Sequence, residues 1–86
     1  MNAPIVEWLG TTFLLSAISF IGTPLAIGGA LFLAVLLGGS ISGGHFNPAV
    51  TAWAYLSGKI GTQKAVTYVL AQLAGAVTVF AISKWK

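Results

Sequence analysis

The chain has 86 residues, of which 57% are hydrophobic and 6% charged, with a formal net charge of +3 and no cysteine. Soluble domains carry roughly a quarter of their residues as charges, so a water-soluble globule is excluded. The lack of cysteine excludes a disulfide framework and a thiolate metal site.

No formal charge lies between Glu7 and Lys59, a run of 51 positions, and 19 more uncharged positions separate Lys64 from Lys84. At about 20 residues per crossing, the first run holds two membrane spans and a remainder, and the second run holds a third span. The first predicted helix covers residues 4–21. Pro4 suits a first helical turn, and Glu7 lies toward the positive end of the helix dipole. The N-terminus lacks the basic region of a signal peptide, so this segment is expected to stay as a helix. Gly22-Thr23-Pro24 reads as a tight turn. The second helix is predicted over 24–38, with Gly28, Gly29 and Gly38 small enough for close helix contact. A polar, Gly-rich loop and a short helix follow over 39–57. The last helix is predicted over 62–83, with Thr62 as its N-cap and Ala71 and Gly75 as a small-x-x-x-small pair. Trp85, between Lys84 and Lys86, reads as an interfacial anchor.

The stretch with chemistry is Ser42-Gly43-Gly44-His45-Phe46-Asn47-Pro48-Ala49-Val50-Thr51. Asn47 is a strong N-cap, and Pro48 fits the first helical position, where its missing N–H costs nothing. The helix expected over 47–57 rises roughly 16 Å, about half the hydrocarbon core. Irregular backbone at that depth persists only where it is buried in protein or lines a wet cavity. The pattern therefore predicts a re-entrant half-helix whose positive N-terminal end faces a pore.

This ten-residue run resembles the first signature of the major intrinsic proteins, the aquaporins and aquaglyceroporins, and the resemblance extends over nearly the whole chain. Members of that family carry two such repeats, whereas this chain carries one. The resemblance implies an all-α membrane fold, an aquaporin-like half with three transmembrane helices and one re-entrant half-helix. It implies a multi-pass protein of a cell or inner membrane. It also implies that Asn47, Pro48 and Ala49 lie at the pore centre, where two opposed half-helices meet, and that Gly43, Gly44, His45 and Phe46 form the loop along the solute path. Glu7-Trp8-Leu9-Gly10-Thr11-Thr12-Phe13-Leu14 resembles the family's first helix, in which such a Glu braces the pore loop. Gln72, in Ala71-Gln72-Leu73-Ala74-Gly75, matches the Ala-Gln pair of its third helix. Plainer readings stand beside these: Asn47 as a cap alone, Glu7 in the headgroup region, and Gln72 as glue between helices. Two positions depart from water-selective members. Val50 stands where a second repeat carries a filter Arg, and Ile27 stands where the second helix offers a bulky aromatic.

The function expected from these residues is a passive channel for water or small neutral solutes such as glycerol. Its pore is completed by antiparallel pairing with a second copy or by a complementary half-channel chain. The alternative is a non-conducting truncated copy, or a small membrane subunit associated with a full-length channel. An enzyme is not expected: away from the Lys-bearing ends only Glu7 and His45 are titratable, with no nucleophile–base pair. A lone His45 predicts no metal site, and no cofactor is expected. The four lysines near segment ends read as interfacial, so nucleic acid is not a partner; the partners are the lipid bilayer, the solute and another channel half. Lys59 and Lys64 fall on one side and Lys84 and Lys86 on the other, so the positive-inside rule gives a tie and leaves orientation weakly specified.

Overall fold

A computed structural model describes residues 1–85. Lys86, counted in the orientation tie, lies outside the described residues. Four helices follow in order: α1 (Ala3–Phe20), α2 (Pro24–Ser42), the short α3 (Pro48–Leu56) and α4 (Thr62–Ser83). The three long ones have the length and hydropathy to cross a membrane. At 22 residues, α4 rises roughly 33 Å, slightly more than a hydrocarbon core of about 30 Å.

Each helix starts where the residues allow backbone N–H groups to be satisfied. Asn2 caps α1 by accepting from the Ile5 N–H at 3.0 Å, and Thr23 caps α2 by accepting from Ala26 at 3.2 Å. Gly22, at φ 79, makes the turn between them. Asn47 caps α3 through a 2.8 Å bond from the Ala49 N–H, with Pro48 at the first helical position. The α4 cap differs from expectation. It falls on Gly61, which offers no side chain, while the Thr62 hydroxyl turns back to donate to the Tyr55 hydroxyl at 3.0 Å.

The second helix runs one turn further than its residue pattern predicts, to Ser42 rather than residue 38. The glycines that weaken its end are required by packing: a Cβ on Gly38 would meet Val6 Cγ1 at 2.7 Å. Tertiary bonds to Ser42 then stabilise the extra turn, which stops at the left-handed Gly43, φ 92, where only glycine is free of strain.

Helix α1 is central, packed on both α2 and α4, while α3 lies on α4. Contacts between α1 and α4 rise together along both helices: Glu7 meets Gln72, and Thr11 packs on Gly75. Those helices are therefore parallel, and α2, whose Ser42 reaches back to Glu7, runs the opposite way. Only 22%, 17% and 22% of the three spans is buried, so apolar side chains cover the outside as well as the contacts. Phe32, Leu36, Leu37, Leu70, Val77 and Phe80 are all exposed, the pattern of helices solvated by lipid rather than water. Cations lie over aromatic rings at both ends of α4, Lys64 over Tyr68 at 5.3 Å and Lys84 over Phe80 at 4.7 Å, as suits the two interfaces.

Candidate functional site: a half-helix tip held at mid-span

Glu7 is the only acid in the chain and is fully buried, which excludes the headgroup reading for its side chain. Its carboxylate accepts four hydrogen bonds. Oε2 takes the Ser42 hydroxyl at 2.7 Å and the His45 backbone N–H at 3.1 Å; Oε1 takes the Phe46 N–H at 2.7 Å and Gln72 Nε2 at 2.9 Å. Burying a carboxylate costs several kcal/mol even in a relaxed protein. Four bonds to a charged acceptor, at roughly 1.5–3 kcal/mol each, are of the size needed to offset that cost. The residues that hold the charge are therefore also the residues that fix the loop.

The loop backbone is strained at one point. Phe46 has φ 55, a left-handed conformation that costs a non-glycine residue roughly 1–2 kcal/mol. Its N–H bond to the Glu7 carboxylate, at roughly 1.5–3 kcal/mol for a charged acceptor, is of the size needed to offset that strain, and the close packing of its buried ring adds to it. The ring fits only because Gly10 and Gly38 flank it: a Cβ on Gly10 would collide with the Phe46 ring. The Phe46 side chain thus fills the slot between α1 and α2, against Val6 and Ala34, and its backbone is what the loop contributes.

Gln72 links this anchor to the half-helix. It is the eleventh of the 22 residues of α4 and 1% exposed, and its Nε2 also donates to Thr51 Oγ1 at 2.8 Å. Thr51 lies one turn into α3, so the tip of the short helix sits level with the middle of a spanning helix. Thr51 Oγ1 is 2.9 Å from His45 Nδ1, and the His45 ring meets Tyr68 edge-on, with centroids 5.1 Å apart. The Tyr68 hydroxyl donates to the Ser42 carbonyl at 2.6 Å. Gly44 N–H donates to Ser42 Oγ at 3.2 Å, which closes the loop behind the tip.

The structure brings Glu7, Gln72, Gly43, Gly44, His45, Phe46 and Asn47 into one cluster at the head of α3. Asn47, Pro48, Ala49 and Val50 are exposed on its open side. Ile27 stands apart, half-buried in the first turn of α2, and α2 does not pack on α3. One member of the cluster, Tyr68, escaped the sequence reading, and Ser42 and Thr51, the ends of the motif, were given no role of their own there. Tyr68, Gln72, Gly75 and Val79 form the buried stripe of α4, and that spacing was the available signal.

Three spans, with a fourth short helix turned back to mid-depth and capped by an amide, define a multi-pass membrane protein of the re-entrant pore-loop class. The sequence model of the family described as "Major intrinsic protein" matches residues 3–85, and the chain belongs to that family. It is similar to a probable aquaporin TIP1-2 of Oryza sativa subsp. japonica, 58% identical over 48 residues, 56% of this chain and 19% of that protein. It is similar to aquaporin TIP1-2 of Musa acuminata, 51% identical over 66% of this chain and 23% of that protein. Aquaporin PIP2-7 of Musa acuminata is 39% identical over 80% of this chain and 24% of that protein. The chain thus spans about a fifth to a quarter of the length of these relatives. No solved structure matches it.

Proposed function

We propose that the chain forms half of a passive channel for water and small neutral solutes such as glycerol, completed by a second half in the opposite orientation. The observation that carries this reading is the open tip of α3. Asn47, Pro48, Ala49 and Val50 are exposed together, while the backbone behind them is tied to buried Glu7. Asn47 Oδ1 is occupied by the Ala49 N–H, so its amide NH2 is left to donate to a solute oxygen. The positive end of a helix at that depth attracts oxygen and opposes cations. Among the described residues that end has no counterpart. Two copies in inverted orientation supply one, as in transport folds built on inverted repeats. The second half is a further copy of this chain or a complementary chain. Likeness to proteins named aquaporins supports water as a solute. Val50 at the place of a filter cation, in a chain without Arg, and Ile27 at the place of a bulky aromatic support a path open to larger neutral solutes as well.

Stopped-flow light scattering on reconstituted vesicles tests this. The expected result is water and glycerol permeability above bare lipid, lowered by Asn47→Asp, which keeps a good N-cap but sets a charge in the path. Permeability equal to bare lipid from folded protein refutes the channel and favours the non-conducting reading. The chain has no cysteine, so single cysteines placed near Met1 and at Trp85 report orientation. Labelling of each from both sides supports self-pairing, and every Trp85→Cys on one side excludes it.

A further inference from the structure

We propose that Gln72 and Thr51 are positioning residues that fix the His45 imidazole as the neutral tautomer with its proton on Nε2, presenting that N–H as a donor on the open side of the loop. The tautomer follows from hydrogen-bond geometry; what the donor meets rests on the channel reading.

The row of hydrogen bonds starts at the Glu7 carboxylate, which accepts. Gln72 Nε2 lies 2.9 Å from Glu7 Oε1 and 2.8 Å from Thr51 Oγ1. Turning the amide over would set its oxygen against the carboxylate, so the nitrogen faces Glu7 and both its protons are used. Thr51 Oγ1 therefore accepts from Gln72, and its own proton must go elsewhere. Thr12, Ser16, Thr67 and Thr78 each donate to the carbonyl four residues back, at 2.7–2.8 Å. Thr51 makes no such bond, and its remaining partner is His45 Nδ1 at 2.9 Å. A hydroxyl donating to Nδ1 requires that nitrogen to be bare, which sends the ring proton to Nε2.

The ring cannot easily turn away. Tyr68 packs against it at an interplanar angle of 67°, and Tyr68 is itself buried and tied to the Ser42 carbonyl. The Nε2 edge lies over exposed Gly43, 3.6 Å from where a Cβ would stand, and Nε2 has no hydrogen-bond partner among the described residues. An uncharged N–H held there donates to the oxygen of water or an alcohol without adding a cation to the path. The buried row from Glu7 to Thr51 thus sets which face of the imidazole a solute meets.

The chain has one histidine, so nitrogen-15 spectra of the His-labelled chain in lipid nanodiscs read the tautomer without assignment. At mildly alkaline pH the expected pattern is one bare nitrogen, Nδ1, and one protonated nitrogen, Nε2. Thr51→Ser keeps the hydroxyl and keeps that pattern. Thr51→Val removes the donor and moves population to the Nδ1–H form; Gln72→Met frees the Thr51 hydroxyl to turn and gives a mixture. A wild-type spectrum with the proton on Nδ1 overturns the proposal, and so does a folded Thr51→Val chain whose spectrum matches wild type. Vesicle permeability on the same samples separates the two readings. The expected tautomer in a chain that passes no solute refutes the channel and leaves the tautomer assigned.

Discussion

Glu7→Gln changes one atom and removes one charge, and its outcome can be worked from the four bonds the carboxylate accepts. If the new NH2 replaces Oε2, it faces the Ser42 hydroxyl, which can reverse, and the His45 N–H, which cannot. If it replaces Oε1, it faces Gln72, whose amide can turn over, and the Phe46 N–H, which cannot. Either rotamer leaves one backbone N–H without an acceptor. An orphaned buried donor costs about 1–3 kcal/mol, and the remaining bonds each fall from charge-assisted strength to roughly 1 kcal/mol. Relief of the buried charge offsets part of this, leaving a local loss of about 3 kcal/mol. Amide hydrogen exchange in nanodiscs reads that loss directly. At roughly 1.4 kcal/mol per tenfold, exchange at His45 or Phe46 should speed up by about a hundredfold, with much smaller changes at the far end of α1. The left-handed Phe46 loses its support at the same time, so the loop should loosen as a unit. Wild-type protection at both amides would falsify the view that Glu7 holds the loop.

Glycine substitutions should separate by what each Cβ meets. Gly10→Ala drives a methyl into the Phe46 ring and should cost about 1–3 kcal/mol, whereas Gly28→Ala meets nothing within 4 Å and should gain roughly 0.5–1 kcal/mol of helix stability. Thermal melting of the two variants in detergent checks this, and equal midpoints would contradict it. Tyr68→Phe removes the only side-chain donor on the Ser42 carbonyl among the described residues and should cost roughly 1–3 kcal/mol, seen as earlier melting and faster exchange at Gly43 and Gly44. An unchanged midpoint would show that the bond contributes nothing. Trp8→Phe gives up the 3.1 Å bond to Thr78 and should cost no more than about 0.5–1.5 kcal/mol, so a larger loss would point to packing of the indole instead.

The parts of the fold that local chemistry dictates were legible in the residues. Asn47 and Pro48 mark the start of α3 because a cap and a first-position proline act through the backbone alone, and residues 62–83 match α4 because its uncharged run ends at Lys84. The end of α2 was not legible, because four glycines argue for a loop, and only contacts with Val6, Glu7 and Tyr68 carry the helix on to Ser42. The Gly61 cap was missed for a similar reason: Thr62 looks like the better cap until Tyr55 takes its hydroxyl. In the site, Glu7 and Gln72 stood out because polar side chains within apolar spans need partners. Thr51 and Ser42 did not, since a hydroxyl in a helix ordinarily satisfies itself on the preceding turn. Their role depends on which neighbours arrive from 21 to 35 residues away.

The alternation of α1, α2 and α4 has a consequence for how such halves combine. A unit with three full crossings finishes on the face opposite to the one where it began. A duplicate joined to it by a short connection is therefore threaded upside down by parity alone, with no further signal in its loops. On the proposed pairing of separate copies, that arrangement requires insertion in both senses, and a single lysine added near one interface should bias the choice and lower pairing without touching any residue of the α3 tip.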